Sequence, residues 1–422
     1  MEPTYNNRFC LKGYPRRLRK ALVNVWPLYG SAFAMAISLS VLWTAMPFII
    51  RNIGGTEEHV GYIWAFNMLG YMLCLLLAAV MLGHLAPRHA TRAAAAAMFL
   101  ATLVMVFVVY YTIAQDQFGR PALIWTMIAT GTLSGAAMSL FWPFLMSWVS
   151  ADYEGAILNR RLGTYNGMWS SAAIMGPLIG GVLVDISTFG PIVVGVVCLA
   201  VCFVLLCIAH DGSAGSAVSV RPLDEPEIAF DPALLLRFKW MARIALFCSW
   251  ACLGVTRSQF ALLFTGLGFS ETQFGIIITM FGICNFLVLT GAGRFAFWHF
   301  KPVLLLSVQM ILAISIFLII YGRTLLAFVP SFVIMGFGFG FAYSSHLYYG
   351  ACGSKKRSAQ MAIHEVTISL GVIVGAGTGG YLSGNFGIYR PYWFSIIVLV
   401  LGLIAQVVVW IVLKPRRAGQ PA

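Results

Sequence analysis

Long apolar blocks alternate with short polar breaks along nearly the whole chain. A helix rises about 1.5 Å per residue, so a block of about twenty residues crosses the roughly 30 Å hydrocarbon core of a bilayer. Twelve such blocks are predicted, at 25–50, 60–82, 93–114, 122–148, 163–185, 190–209, 241–264, 272–292, 302–321, 325–350, 359–384 and 391–413. The strict alternation over about ten residues that marks membrane β-strands is missing. Trp26, Trp240, Trp393 and Trp410 fall near block ends, where amphipathic rings favour the membrane interface. The pattern predicts an all-α membrane protein.

The longest polar break, 210–240, combines Gly212, Ser213, Gly215, Ser216, Pro222, Pro226 and Pro232 with Asp224, Glu225, Glu227 and Asp231. That is linker composition. It separates a bundle at 1–209 from a second at 241–422, each with six spans. The halves repeat. Ile53-Gly54-Gly55-Thr56-Glu57-Glu58-His59-Val60-Gly61 returns 214 positions later as Leu267-Gly268-Phe269-Ser270-Glu271-Thr272-Gln273-Phe274-Gly275. In both copies Gly ends one helix, Thr or Ser caps the next, and Glu occupies its first turn, where the helix dipole favours an anion. Gly180-Gly181 returns as Gly379-Gly380. Two matched halves are a common plan among membrane transporters.

Composition supports this reading: the chain is 60% hydrophobic and only 10% charged, outside the range of soluble domains. The net charge of +13 calls for no nucleic-acid partner. Of 27 Lys and Arg, 21 lie in the tails and in alternate breaks near 83–92, 150–161, 210–240, 294–301 and 355–357; the intervening breaks hold only Arg51, Arg120, Arg323 and Arg390. This positive-inside asymmetry predicts that both termini are cytoplasmic. Seven of nine Cys sit in apolar runs without metal-binding spacing, so they read as packing residues and no metal or cofactor is implied. The first apolar block has no cleavage site and reads as a retained helix. No Asn-x-Ser/Thr sequon occurs; with the short loops, this points to a bacterial inner membrane.

Gly83-His84-Leu85-Ala86-Pro87-Arg88-His89-Ala90-Thr91-Arg92 follows the second span. It resembles the G-x-L-a-D-r-x-G-r-R loop of the major facilitator superfamily, matching at Gly83, Leu85, Ala86, Arg88 and Arg92 and departing at Pro87 and Ala90. Gly176-Pro177-Leu178-Ile179-Gly180-Gly181 in span five is similar to the family's exporter-associated G-P-x-x-G-G motif. The resemblance implies a major-facilitator-type bundle of twelve helices in two pseudo-symmetric halves, working as a monomer on a small-molecule substrate. The missing Asp puts the family's inner charge gate in doubt. The family's Arg in span four has no counterpart in 122–148. The Gly-Pro motif serves either helix packing or export.

Charges inside a bilayer are costly and default to function. Glu365 is the one acidic residue well inside a span. Counting inward from Lys355-Lys356 places His346 and Glu365 at similar depth. Glu365 with His346 or His364 is therefore a candidate proton- or cation-responsive pair, or else a static polar contact. The same count in the first half gives Trp142 and Asn166. Arg257, about 10 Å from the outer end of its span, either meets an anionic group or snorkels to the interface. The resemblance makes spans one, four, seven and ten line a cavity, which adds Trp43, Trp250 and Tyr343 as candidate lining residues.

Walker, zinc-protease and nucleophile-elbow motifs are all missing, so the chain reads as no enzyme. The leading expectation is proton-coupled efflux of a small organic solute by alternating access. The alternatives are uptake or facilitated diffusion of a sugar or organic anion, and a transport-inactive sensor or scaffold.

Overall fold

The computed structural model describes residues 25–81, 85–150, 155–209, 231–295, 297–352 and 357–413. The N-terminal tail, Gly83, the linker over 210–230, the Lys355-Lys356 turn and the C-terminal tail lie outside the described residues. Among the described residues twelve helices follow one another: α1 Trp26–Asn52, α2 Glu57–Met81, α3 Pro87–Ala114, α4 Pro121–Ser150, α5 Gly155–Ile186, α6 Gly190–Ile208, α7 Pro232–Gly266, α8 Glu271–Ala292, α9 Pro302–Tyr321, α10 Leu325–Ala351, α11 Arg357–Phe386 and α12 Arg390–Val412. All twelve contain a stretch long and apolar enough to cross a membrane, and no strand occurs among the described residues. With twelve crossings, the start of α1 and the end of α12 share one face, termed here the terminal face; the opposite side is the far face.

Helix ends follow local chemistry. Pro87 opens α3 and Pro232 opens α7, because proline's fixed φ and missing N–H suit the first helical position. Asp231 caps α7, its side chain accepting from the Ala233 amide at 2.9 Å. Three helices therefore begin earlier than the apolar pattern predicts: α3 at Pro87, α5 at Gly155 and α7 at Pro232, the last inside the segment read as linker. Charged residues in the added turns (Arg88 and Arg92 in α3, Arg160 and Arg161 in α5, Arg237 and Lys239 in α7) interrupt the apolar pattern from which the spans were read.

The repeat predicted from sequence is visible in the backbone. Gly54 and Gly268 carry matching left-handed φ angles of +87° and +89°, which glycine adopts without penalty. Ser270 heads a complete capping box: its Oγ accepts from the Gln273 amide at 3.2 Å and the Gln273 side chain accepts from the Ser270 amide at 3.0 Å. At the first copy His59 stands where Gln273 does, and its Nδ1 accepts from the Thr56 amide at 3.1 Å.

Packing obeys the same operation. In the first half α1 packs on α5 and α6, α2 and α3 on α4, and α3 on α6. Adding six to each label gives the second-half pairs: α7 on α11 and α12, α8 and α9 on α10, and α9 on α12. The halves meet mainly along α2–α11 and α5–α8, two seams that the same operation exchanges. Outward-facing Leu76, Leu77, Phe107, Val197, Ile404 and Val408 are exposed, as an acyl-chain environment requires.

Candidate functional site

The seams begin at the far face. Gly61 of α2 meets Gly380 of α11 so closely that a Cβ on Gly61 would lie 2.6 Å from the Gly380 Cα. At the other seam a Cβ on Gly181 would lie 3.0 Å from the Gly275 Cα. Small residues let backbones approach this way. Asn385 bonds Glu58 at the first seam, and Thr272 donates to Asp185 at 2.6 Å at the second. Gln259 of α7 adds a donation to the Glu57 carbonyl at 3.3 Å.

The Gly-Pro motif divides its work. Gly176 and Gly180 seat α5 on α1, facing Ser40 and Val41, while Gly181 and the Pro177 carbonyl face α8. Gly379 likewise faces Val255 within its own half, and Gly380 faces Gly61 across the seam. All these glycines are packing surfaces.

Toward the terminal face the α5–α8 seam opens. On α5, the face that carries Gly181 and Ile174 continues through Gly167 and Gly163 at helical spacing. Ile174 still meets α8, its carbonyl accepting from Thr279 at 3.4 Å. Gly163 and Gly167 are exposed, and a Cβ on either would meet nothing within 4 Å. Asn166 beside them is also exposed, its side chain accepting from Trp169 Nε1 at 3.0 Å.

The α2–α11 seam stays joined deeper. Tyr71 Oη donates to Glu365 Oε2 at 2.9 Å, linking the two halves. Tyr165 of α5 is buried beside Trp142, centroids 6.5 Å apart. Tyr343 of α10 sets its ring edge-on to His364, centroids 4.7 Å apart. His364 and His346 are buried and paired through their Nδ1 atoms at 2.8 Å, while the buried His364 Nε2 has no partner among the described residues. Arg243 donates to Gln360 at 3.1 Å one turn nearer the terminal face.

The contact expected between Glu365 and a histidine is not the one observed. The histidines pair with each other, and Glu365 pairs with a tyrosine from the opposite half. Adjacent helical residues point about 100° apart, so His364 faces α10 while Glu365 faces α2. Tyr71 and Tyr165 escape sequence reasoning, because a lone tyrosine in an apolar run carries no signal of its own.

The remaining candidates are scattered. Trp43 is buried against Trp64, centroids 5.0 Å apart. Trp142 packs edge-on to Phe141 at 5.1 Å and near Tyr165 at 6.5 Å. Trp250 lies against Phe339 at 4.7 Å, its Nε1 buried without a partner among the described residues. Arg257 rests over the Phe281 ring at 5.6 Å. Arg88 is exposed and contacts His89 at 3.2 Å. Arg92 donates to the carbonyls of Leu206 at 3.0 Å and Ala209 at 3.2 Å, capping the end of α6 as a cation there should. That part of the loop motif serves its own half. A cavity of about 620 Å³, lined by Arg51, Glu57, Glu271 and Tyr389 among others, lies at the far face, outside the closed seams.

Two six-helix bundles related by internal repeat, sealed at one face and parted toward the other, define a membrane transporter fold. The chain belongs to the Major Facilitator Superfamily, whose family pattern matches residues 28–351. No curated protein matches it in sequence. Among solved structures, the nucleoside transporter NupG is 13% identical with a TM-score of 0.70, covering 92% of this chain and 99% of that one. A bacterial homologue of the human lysosomal transporter Spinster, inward-facing and occupied, is 12% identical with a TM-score of 0.66, covering 97% and 100%. A POT family transporter in complex with a thioalcohol-conjugated peptide is 12% identical with a TM-score of 0.67, covering 92% and 95%. Identities this low speak for the shared fold alone.

Proposed function

We propose that this secondary transporter couples solute movement to protons through Glu365, and that it exports a small organic solute from a bacterial cytoplasm. The observation that carries the coupling is the Tyr71–Glu365 hydrogen bond across the halves. Alternating access requires the α2–α11 and α5–α8 seams to part and re-form in turn. When α2 leaves α11, Glu365 loses its donor inside a low-dielectric span, where an unpaired carboxylate is costly. Taking up a proton removes that charge. Closing the seam returns the phenol and favours release. Proton occupancy and bundle position thus become one linked equilibrium. The paired histidines and Tyr343 shape the polar surroundings of this carboxyl.

The positive-inside charge pattern supports a cytoplasmic terminal face, so the arrangement corresponds to an inward-open carrier. Export rests on the Gly176-Pro177-Gly180-Gly181 resemblance. The test is flux in proteoliposomes over a panel of organic solutes, with and without a pH gradient. Glu365→Gln is expected to abolish the response to the gradient while retaining solute counterflow. A variant whose pH response equals that of the parent protein overturns the coupling assignment. Absence of counterflow across the panel in the parent protein would favour a sensor or scaffold. The sign of the gradient response separates export from uptake.

A further inference from the structure

Arg257 is a cation in the middle of a tightly packed helix. Between Ala251 and Phe264 every residue of α7 is buried except Arg257 and Leu262. Leu262 opens onto the far-face cavity, and Arg257 does not line it. Arg257 is nine residues from the end of α7, about 13 Å below the far face. Phe281, the ring beneath its guanidinium, is ten residues inside α8, about 15 Å deep. The side chain therefore runs level with its own backbone and does not snorkel outward.

Among the described residues Arg257 has no hydrogen-bond acceptor and no ion-pair partner. The ion pair found there joins Arg51 to Glu57 at 3.1 Å, at the far face. The interior acid, Glu365, is held by Tyr71. Yet a guanidinium with no acceptor is expensive inside a membrane protein unless an anion or water completes it. The Arg257 guanidinium lies over the Phe281 ring at 5.6 Å, and its planar N–H fork is the geometry that grips a carboxylate.

Aromatic rings continue from that point. Phe281 contacts Phe339 at 5.4 Å, and Phe339 contacts Trp250 at 4.7 Å. Trp250 precedes Arg257 by seven residues on the same face of α7, about 10 Å along the helix toward the terminal face. Phe281 and Phe339 are buried behind this face, while Trp250 and Arg257 are partly exposed on it.

We propose that Arg257 is the anion-binding residue of the solute site, and that the solute is an organic monoanion with an aromatic or apolar body. The carboxylate-sized head meets the Arg257 guanidinium, and the body lies against the partly exposed Trp250 ring on the same face of α7. This rests on reading the space between the halves as a solute path, but not on proton coupling.

The experiment is equilibrium binding to the purified full-length protein, followed by tryptophan fluorescence and calorimetry. The probes are benzoate, 3-phenylpropionate and 4-phenylbutyrate, each beside its amide and the corresponding amine. At least one carboxylate is expected to bind about tenfold or more tighter than its amide, a difference that Arg257→Gln erases. Arg257→Lys keeps the charge but loses the planar fork; it is expected to bind with the preference cut several-fold, and it decides the matter if Arg257→Gln is not monodisperse. The proposal is overturned if no carboxylate binds, if amide or amine binds as well as acid, or if the preference is unchanged in these variants. Binding needs no gradient, so failure of the Glu365 coupling test leaves this result standing. Conversely, gradient-driven flux of a neutral probe alone preserves the transporter and removes the anion.

Discussion

The two seams begin alike and end differently. At the far face Gly61–Gly380 and Gly275–Gly181 are equivalent close approaches, exchanged by the internal repeat. Deeper in, the α2–α11 seam carries Tyr71 and Glu365 in direct contact. The repeat shifts of 214 and 199 that relate the glycines map these two onto Asn285 and Asn166 in α8 and α5. Those asparagines do not meet. Asn166 bonds Trp169 on its own helix, and Asn285 faces the α10 glycines Gly336 and Gly340. The scaffold repeats because both seams must open and close. The chemistry does not repeat; under the proposed coupling, a second titrating latch would add another proton to each rocking motion. One seam is a hinge surface, and the other is a hinge surface with a charge on it.

Overpacking the glycine approaches should have the largest effect. Gly61→Val and Gly181→Val each place side-chain carbons against backbone of the opposite half, at a cost of about 1–3 kcal/mol. That shifts the balance toward a far-face-open form by about fivefold to a hundredfold or more. An impermeant maleimide should then label a Thr272→Cys reporter from the far side in both variants, while solute flux falls in proportion. Equal effects at the two seams confirm their equivalence as hinges; labelling in one variant alone breaks it.

The polar asymmetry predicts a smaller, one-sided effect. Tyr71→Phe removes a donor to a buried carboxyl, worth about 1.5–3 kcal/mol when the acceptor is charged. Its pH profile of flux should move measurably from the parent profile. Asn166→Ala, at the equivalent place in the other seam, touches an exposed side chain and should change flux and stability little, within about 0.5 kcal/mol in stability. A profile shift from Asn166→Ala as large as that from Tyr71→Phe would mean that the two seams share the titrating function.

The architecture was legible because its signals are periodic or local. Apolar blocks give twelve spans, and the Gly54 and Gly268 copies give the repeat with its turn geometry. Glu365 stood out because a lone acid in a span has no cheap structural reason. Counting along the hairpin put His346 and Glu365 at similar depth. It could not give azimuth, which separates neighbouring residues by about 100°, nor the approach of a helix from the other half. Tyr71 is supplied by that approach, 294 positions away in sequence. Arg92 shows the same limit: the loop motif, with Pro87 in place of Asp, left the gate in doubt and did not reveal that the partners of Arg92 are carbonyls at the end of α6.

The finest difference between the seams lies in their caps. Ser270 accepts from the Gln273 amide and so satisfies a free N–H in the first turn of α8. Thr56 turns its hydroxyl to His59 Nδ1 instead, at 2.8 Å, so its loss removes a side-chain link but no amide cap. Ser270→Ala should therefore cost about 1 kcal/mol and Thr56→Ala only about a few tenths. The loss should appear as faster hydrogen exchange over Glu271–Phe274 and a lower apparent melting temperature. Because α8 starts beside Asp185 and Gly181 of the opposite half, fraying there loosens the seam as well as the helix. Ser270→Ala should then raise far-face labelling of a cysteine at Thr272 slightly, well below the level reached by Gly181→Val. Equal exchange rates in the two cap variants would show that His59 and Gln273 are interchangeable, and that the seams differ in the latch alone.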